Sequence, residues 1–367
     1  MRRGSIFVIL FIVVAAVVIG ASQFLRSQPP AEMVIAVDPL AVPWVESAVA
    51  GLNATNPVVN ATQRVQFRVT PVDDLDAWQG QRIWTPDNHP VAWIPASSIS
   101  VGYARENGVP LADVAPSVAR TPLVWGGYVS RVNVITDDGI APLDWPSVQA
   151  AAEQESWQAL GGQNAWGFIK LGFAQPSRKM SGLGVLFSGA GAFHQKTDLA
   201  GADLRTAEFR EWMLPVIQSV PNFSTLGSDP AAAMARGPST VEIGIFPESQ
   251  WLLNLSGLLQ NEDIVLNYPT YQFLLDFPLV RWQDSSTTDE QRQAVDLLNG
   301  WLLSAAQQAD ALDHGLRPVS AEPTDDDALF TAAVPYGIQL APNFGQTVTV
   351  PGRSDAQGFI QWVNTNQ

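Results

Sequence analysis

Four polar segments of this 367-residue chain hold side chains and backbone amides that could grip a small ligand. Ser177-Arg178-Lys179-Met180-Ser181-Gly182 follows an apolar run and opens an apolar helical pattern, so its first-turn N–H groups lack intrahelical acceptors. Two serines, a glycine and an arginine there suit an electronegative group: the backbone can be approached closely, and Arg178 can pair with it bidentately. The bland alternative is a capped helix beside a solvated Arg-Lys pair. Ser97 and Ser98 follow the run Val91–Pro95, and either could hydrogen-bond a ligand oxygen or simply cap a helix. Asp38 and Pro39 follow Met33–Val37. Glu248 and Gln250 follow Val241–Phe246, and a glutamate in a first helical turn also complements the helix dipole with no ligand present.

These residue types point to binding rather than bond-making. The chain has no Gly-X-Ser-X-Gly elbow, no Walker A loop, no His-Glu-X-X-His and no Ser-X-X-Lys joined to Lys-Thr-Gly. It has no cysteine and three scattered histidines, which removes thiol chemistry, Cys-based zinc and iron–sulfur sites and c-type haem; neither a cofactor nor a metal is expected. With 20 Lys+Arg against 35 Asp+Glu the formal net charge is −15, which disfavours nucleic acid as a partner. Thirteen tryptophans raise the question of sugar stacking; Trp44 and Trp251, beside candidate loops, are the two positions worth testing, the rest reading as core.

The amino terminus sets the compartment. Arg2 and Arg3 precede an uncharged apolar run from Ile6 to Ala21, and Arg26 and Pro29-Pro30 follow it. Residues 1–31 therefore read as a signal anchor or signal peptide with a short linker, which places the body outside the cytoplasm, tethered by a single span or released by cleavage. Without a cysteine, attachment through a lipobox is not available.

The elements that position the four segments alternate strand and helix, the mark of an α/β protein. Strands are expected at Met33–Val37, Gln66–Thr70, Val91–Pro95, Thr121–Val129, Trp166–Phe173, Val241–Phe246, Asp263–Pro269 and Phe273–Val280. A helix from Pro43 carries Val45, Ala48, Val49 and Leu52 on one face, and Asp144 caps another running to about Leu160. Thr288-Asp289-Glu290-Gln291 is a capping-box start for a helix whose stripe is Ala294, Leu297, Leu298, Trp301, Leu302 and Ala305. Thr121–Val129 and Phe273–Val280 read as strands passing between two lobes. All four polar segments then lie past carboxyl ends of strands, where ligands of open α/β sheets sit.

In this order of elements, and in the pieces Val91–Ser98, Phe173–Gly184, Phe246-Pro247-Glu248-Ser249, Phe277-Pro278-Leu279-Val280 and Gly315-Leu316-Arg317-Pro318, the chain resembles bacterial extracellular solute-binding proteins of the type II periplasmic-binding fold, especially the branch also found fused to von Willebrand A domains. The resemblance implies two α/β lobes joined by two crossing strands: residues 32–125 and 280–345 as a discontinuous first lobe, 126–279 as the second, and 346–367 as a tail packing on the first. It implies a non-catalytic receptor that closes on a small-molecule or oxyanion ligand, served by a membrane permease of the ABC type. A tethered sensory or protein-interaction module on the same fold is the alternative.

Overall fold

The computed structural model describes residues 11–13, 29–80 and 83–367. Apart from 11–13, the apolar run of residues 6–21 lies outside them, and among the described residues no helix is long and apolar enough to cross a membrane. The strands, in chain order, are β1 (Ala31–Val37), β2 (Val58–Val59), β3 (Gln63–Pro71), β4 (Ala92–Ile94), β5 (Leu111–Ala115), β6 (Thr121–Tyr128), β7 (Leu171–Gly172), β8 (Ile243–Pro247), β9 (Ile264–Asn267), β10 (Leu274–Leu275) and β11 (Leu279–Trp282). They form two sheets, one ordered β2-β3-β1-β4-β11-β5 and the other β10-β6-β8-β7, with β9 also pairing β6.

In the first sheet β1 runs parallel to β3 and β4, with Ile35 opposite Val69 on one side and Ala92 on the other. Helix Val42–Ala54 begins after a four-residue turn following β1 and buries Trp44, Val45, Ala48, Val49 and Leu52. That i, i+3, i+4, i+7 stripe is the one its sequence announces. In the second sheet β6 is antiparallel to β8, β9 and β10. Gly126 explains how β6 packs: a Cβ there would strike the Trp251 ring and Leu266, so the glycine lets that indole lie on the strand and donate its Nε1–H to the Val124 carbonyl at 2.9 Å.

The chain leaves the first sheet after β5, enters the second as β6, and returns between β10 and β11. The return is not the single strand expected over Phe273–Val280. Changing sheets requires a sharp turn, and Phe277 supplies it with φ of +37° while its ring stays fully buried. A bulky residue in that region is strained, and it is held there by hydrogen bonds to the Ala96 carbonyl and from the Val118 amide.

Three other expectations differ. The strand over Trp166–Phe173 shrinks to β7, because residues 164–166 form a 3-10 turn whose Trp166 ring lies under the Arg131 guanidinium at 4.0 Å. The Asp144 helix stops at Ala152, with a separate 3-10 turn over Trp157–Leu160. Helix Asp289–Leu302 keeps its capping box and buries Ala294, Leu298 and Leu302, but leaves Leu297 exposed, on the outer edge of the stripe. Trp301 is half-buried, and Ala305 opens the next helix.

Residues 280–345 do not all accompany the first sheet. Helix Asp289–Leu302 packs on helix Val42–Ala54 and on β5 and β11, whereas helix Ala328–Ala333 lies against helix Glu248–Leu258, and the turn Val334–Tyr336 against β9. The segment 346–365 touches both halves of the molecule.

Candidate functional site

The ends of β1 and β8 and the loop after β7 converge on a cavity of about 190 Å³ between the two sheets. From the first sheet it is lined by Asp38, Pro39 and Leu40; from the second, by Lys179, Ser181, Asp229, Ser249 and Gln250.

Asp38 is 4% exposed. Its Oδ1 accepts the Leu40 amide at 3.0 Å, closing the turn that launches helix Val42–Ala54. Burial pushes its carboxyl up to about 6, opposed by the Leu40 amide and the Lys179 charge, with Asp73 adding to the rise. Asp74, fully buried, hydrogen-bonds Asp38 while accepting the Ala96 amide at 2.9 Å and the Ser97 amide at 3.3 Å. Burial first, then the Asp38 charge, hold the Asp74 carboxyl well above the usual range. Each carboxyl thus disfavours the other's charge behind the first-sheet side of the cavity.

From the second sheet, the turn before helix Met180–His194 is closed by Arg178 and Lys179 amides donating to the Gln175 carbonyl at 3.0 and 2.9 Å. No side chain caps this helix. Lys179 Nζ reaches across to Asp73 of the first-sheet side and forms an ion pair. Gly182 serves packing: a Cβ there would run into the Ala174 carbonyl, so the glycine lets the helix start lie directly on the loop after β7. Helix Glu248–Leu258 contributes Ser249 and Gln250, which are 2% and 5% exposed. The Ser249 amide donates to Thr121 Oγ1 at 3.1 Å and Gln250 Nε2 to the Ser228 carbonyl at 3.1 Å, but Ser249 Oγ and Gln250 Oε1 have no partner. Buried polar atoms are ordinarily satisfied; these two, on residues that line the cavity, are not. Asp229 is occupied, capping helix Pro230–Met234 through the Ala232 amide and accepting Asn254 Nδ2.

Of the residues singled out from sequence, the structure brings Asp38, Pro39, Ser181 and Gln250 together in this cavity. Arg178 is exposed and lines an adjoining 780 Å³ cavity with Asp73, Asn222 and Ser224; the two cavities share Lys179 and Ser228. Ser177 is half-buried in the turn. Ser97 and Ser98 line a separate groove of 560 Å³ with Tyr103 and Phe273. Their helix start is already satisfied: Ser97 Oγ accepts the Ile99 amide at 3.3 Å, and the Ser98 amide donates to Asp276 at 2.7 Å. Glu248 is fully buried in a bidentate ion pair with the equally buried Arg317, at 2.6 and 2.8 Å, and also accepts the Tyr268 hydroxyl. Its carboxylate faces inward rather than into the cavity. Trp44 and Trp251 are both 0% exposed and belong to the core.

Sequence reasoning missed Lys179, Ser249 and the Asp73-Asp74 pair. Lys179 and Ser249 stood next to chosen residues, and only the geometry of each helix start decides which of two neighbours turns inward. Nothing local in the sequence marks Asp73 and Asp74, since they follow β3 in a run of ordinary loop composition.

The geometry defines a two-lobed α/β protein with a cavity at carboxyl ends of strands from both sheets, the fold of the periplasmic substrate-binding proteins. Among similar structures is the galacto-N-biose-/lacto-N-biose I-binding protein of the ABC transporter from Bifidobacterium longum, in complex with lacto-N-biose, with a TM-score of 0.58 at 12% identity over 93% of this chain and 92% of that one. The periplasmic binding protein AfuA from Actinobacillus pleuropneumoniae, with fructose-6-phosphate bound, gives 0.55 at 13% identity over 92% and 98%. Iron-bound HitA from Pseudomonas aeruginosa gives 0.54 at 11% identity over 92% and 99%. No protein-family model and no curated protein sequence matches the chain.

Proposed function

We propose that the chain is an extracytoplasmic receptor that captures a compact polar solute between its two lobes, without chemistry, and presents it to an ABC-type permease. One lobe comprises residues 32–115 and 279–316, the other 121–275 with 321–345. The amino-terminal run tethers the body to the membrane or directs its export.

The observation that carries this reading is the pair of unpartnered buried groups, Ser249 Oγ and Gln250 Oε1, on one wall of a cavity whose opposite wall holds Asp38. Such a wall both donates and accepts hydrogen bonds. A doubly charged oxyanion is poorly matched to the carboxyls of Asp38 and Asp229, and no aromatic ring is among the lining residues to carry a large sugar. The site suits a small solute bearing donors and acceptors together. The ABC-transporter and periplasmic roles in the names of similar structures support the assignment through shared fold.

A thermal-shift panel of amino acids, monosaccharides and oxyanions tests it. A true ligand at 100 times its Kd stabilises by about 2.7 kcal/mol. Absence of any shift across the panel would count against a receptor for compact solutes.

A further inference from the structure

We propose that residues 346–365 form a clasp that sets the separation of the two lobes, so that a solute reaches the cavity only when helix Arg353–Thr365 lets go of one of them. The segment is stitched to the second-sheet side first. The Val348 amide donates to the Gln272 carbonyl at 2.8 Å, the Thr349 amide to the Thr197 carbonyl at 2.7 Å, and the Leu199 amide returns to the Thr349 carbonyl at 3.1 Å. It then crosses to the first-sheet side. There the Tyr103 hydroxyl donates to the Pro351 carbonyl at 2.5 Å, the Arg353 amide to Glu106 at 3.1 Å, Arg353 Nε to the Trp78 carbonyl at 2.6 Å, and Gln357 Nε2 to the Gln79 carbonyl at 2.6 Å.

The helix itself spans both. Its opening turns hold Trp78 and Gln79, while Asp355 pairs with Arg205, the Phe359 ring lies 5.7 Å from that of Phe209, and Trp362 receives the Arg210 guanidinium at 5.3 Å. Ala356, Phe359, Ile360 and Val363 make a buried i, i+3, i+4, i+7 stripe. An amphipathic helix with one stripe wedged between two bodies resists their relative rotation more than two loop crossings can, because every opening motion must uncover apolar surface. On the first-sheet side it packs on helix Ser98–Glu106 and adds a few hydrogen bonds, a small contact that it can release without unfolding either sheet.

This inference concerns the opening motion rather than the ligand, and its test needs no ligand. The chain has no cysteine, so Glu46→Cys and Ser256→Cys, on exposed positions of the two lobes, are unique sites for spin labels. In the full-length labelled protein, Phe359→Asp is expected to add a longer inter-label distance absent from the parent, while amide exchange in β1 and β6 stays slow and exchange in 353–365 quickens. An unchanged distance distribution with 353–365 undocked overturns the proposal. Should Phe359→Asp lose protection in both sheets, Asp355→Arg is read instead: it sets like charges against each other at Arg205 and keeps the buried stripe. A longer distance that reverts when Arg205→Asp is added supports the clasp; no change in either variant overturns it. Failure of every candidate solute in the thermal panel would leave this result standing, and an unchanged distance here would leave the receptor reading standing.

Discussion

Ser249 Oγ and Gln250 Oε1 are buried side-chain atoms without a hydrogen-bond partner. An unsatisfied buried group costs about 1–3 kcal/mol. Ser249→Ala is therefore expected to leave the ligand-free protein as stable or more so in urea unfolding, while weakening ligand affinity; a large loss of stability would mean the hydroxyl has a structural partner. Asp38 gives a prediction in pH. Its carboxyl rises from 3.8 to about 6 on folding, so the folded protein holds that proton more tightly than the unfolded chain. The resulting stabilisation is complete below 3.8 and is lost as pH climbs through about 6, the unfolded state ionising first. Asp38→Asn should flatten that fall in a series of unfolding curves between pH 4 and 7. A slope identical to the parent's would show that Asp38 is not the titrating group.

At the scale of elements, the helix that carries Ser249 and Gln250 is anchored from the far side. Arg317 clamps Glu248, the first residue of that helix, and also donates to the Leu340 and Gln339 carbonyls at 2.7 and 2.5 Å. Just before it, Gly315, at φ of +70°, brings the chain so close to the Ser249 backbone that a Cβ would sit 3.1 Å from the Ser249 Cα. The buried ion pair thus fixes one cavity wall against the segment 315–340. Arg317→Ala strands a buried carboxylate and is expected to cost about 3–5 kcal/mol in denaturant unfolding. A loss of less than about 1 kcal/mol would show that the pair is not holding the helix, since that is the range of exposed ion pairs.

At the scale of the whole molecule, the lobes meet through a pair that is neither buried nor fully exposed. Lys179 and Asp73 retain 20% and 29% side-chain exposure. Such a pair adds little to global stability, about 0–1 kcal/mol. Because Lys179 lines both cavities, its worth lies in joining the walls around a ligand. Lys179→Met is expected to leave the unfolding free energy within about 1 kcal/mol of the parent and to lower ligand affinity, read by calorimetry. Equal affinity in the variant would place the ligand away from this seam.

The sequence alone determined the α/β class, the Asp144 cap, the capping box at Thr288, the β1 strand and its following helix, because each rests on periodicity or cap chemistry within a few residues: Val45, Ala48, Val49 and Leu52, or Thr288 and Gln291. It also determined that the polar turns at 38–39, 177–182 and 248–250 follow strand runs, and so that a site could form there. Only the tertiary structure decided which side chains reach it. Asp38 and Gln250 line one cavity because two sheets built from distant parts of the chain come together there, and Glu248, next to Ser249 in the chain, is claimed instead by Arg317, 69 residues away. Ser98 lines a separate groove instead, where Asp276, on the return crossing, accepts its amide. Long-range burial and pairing are energies of the folded whole, and no local window of residues contains both partners.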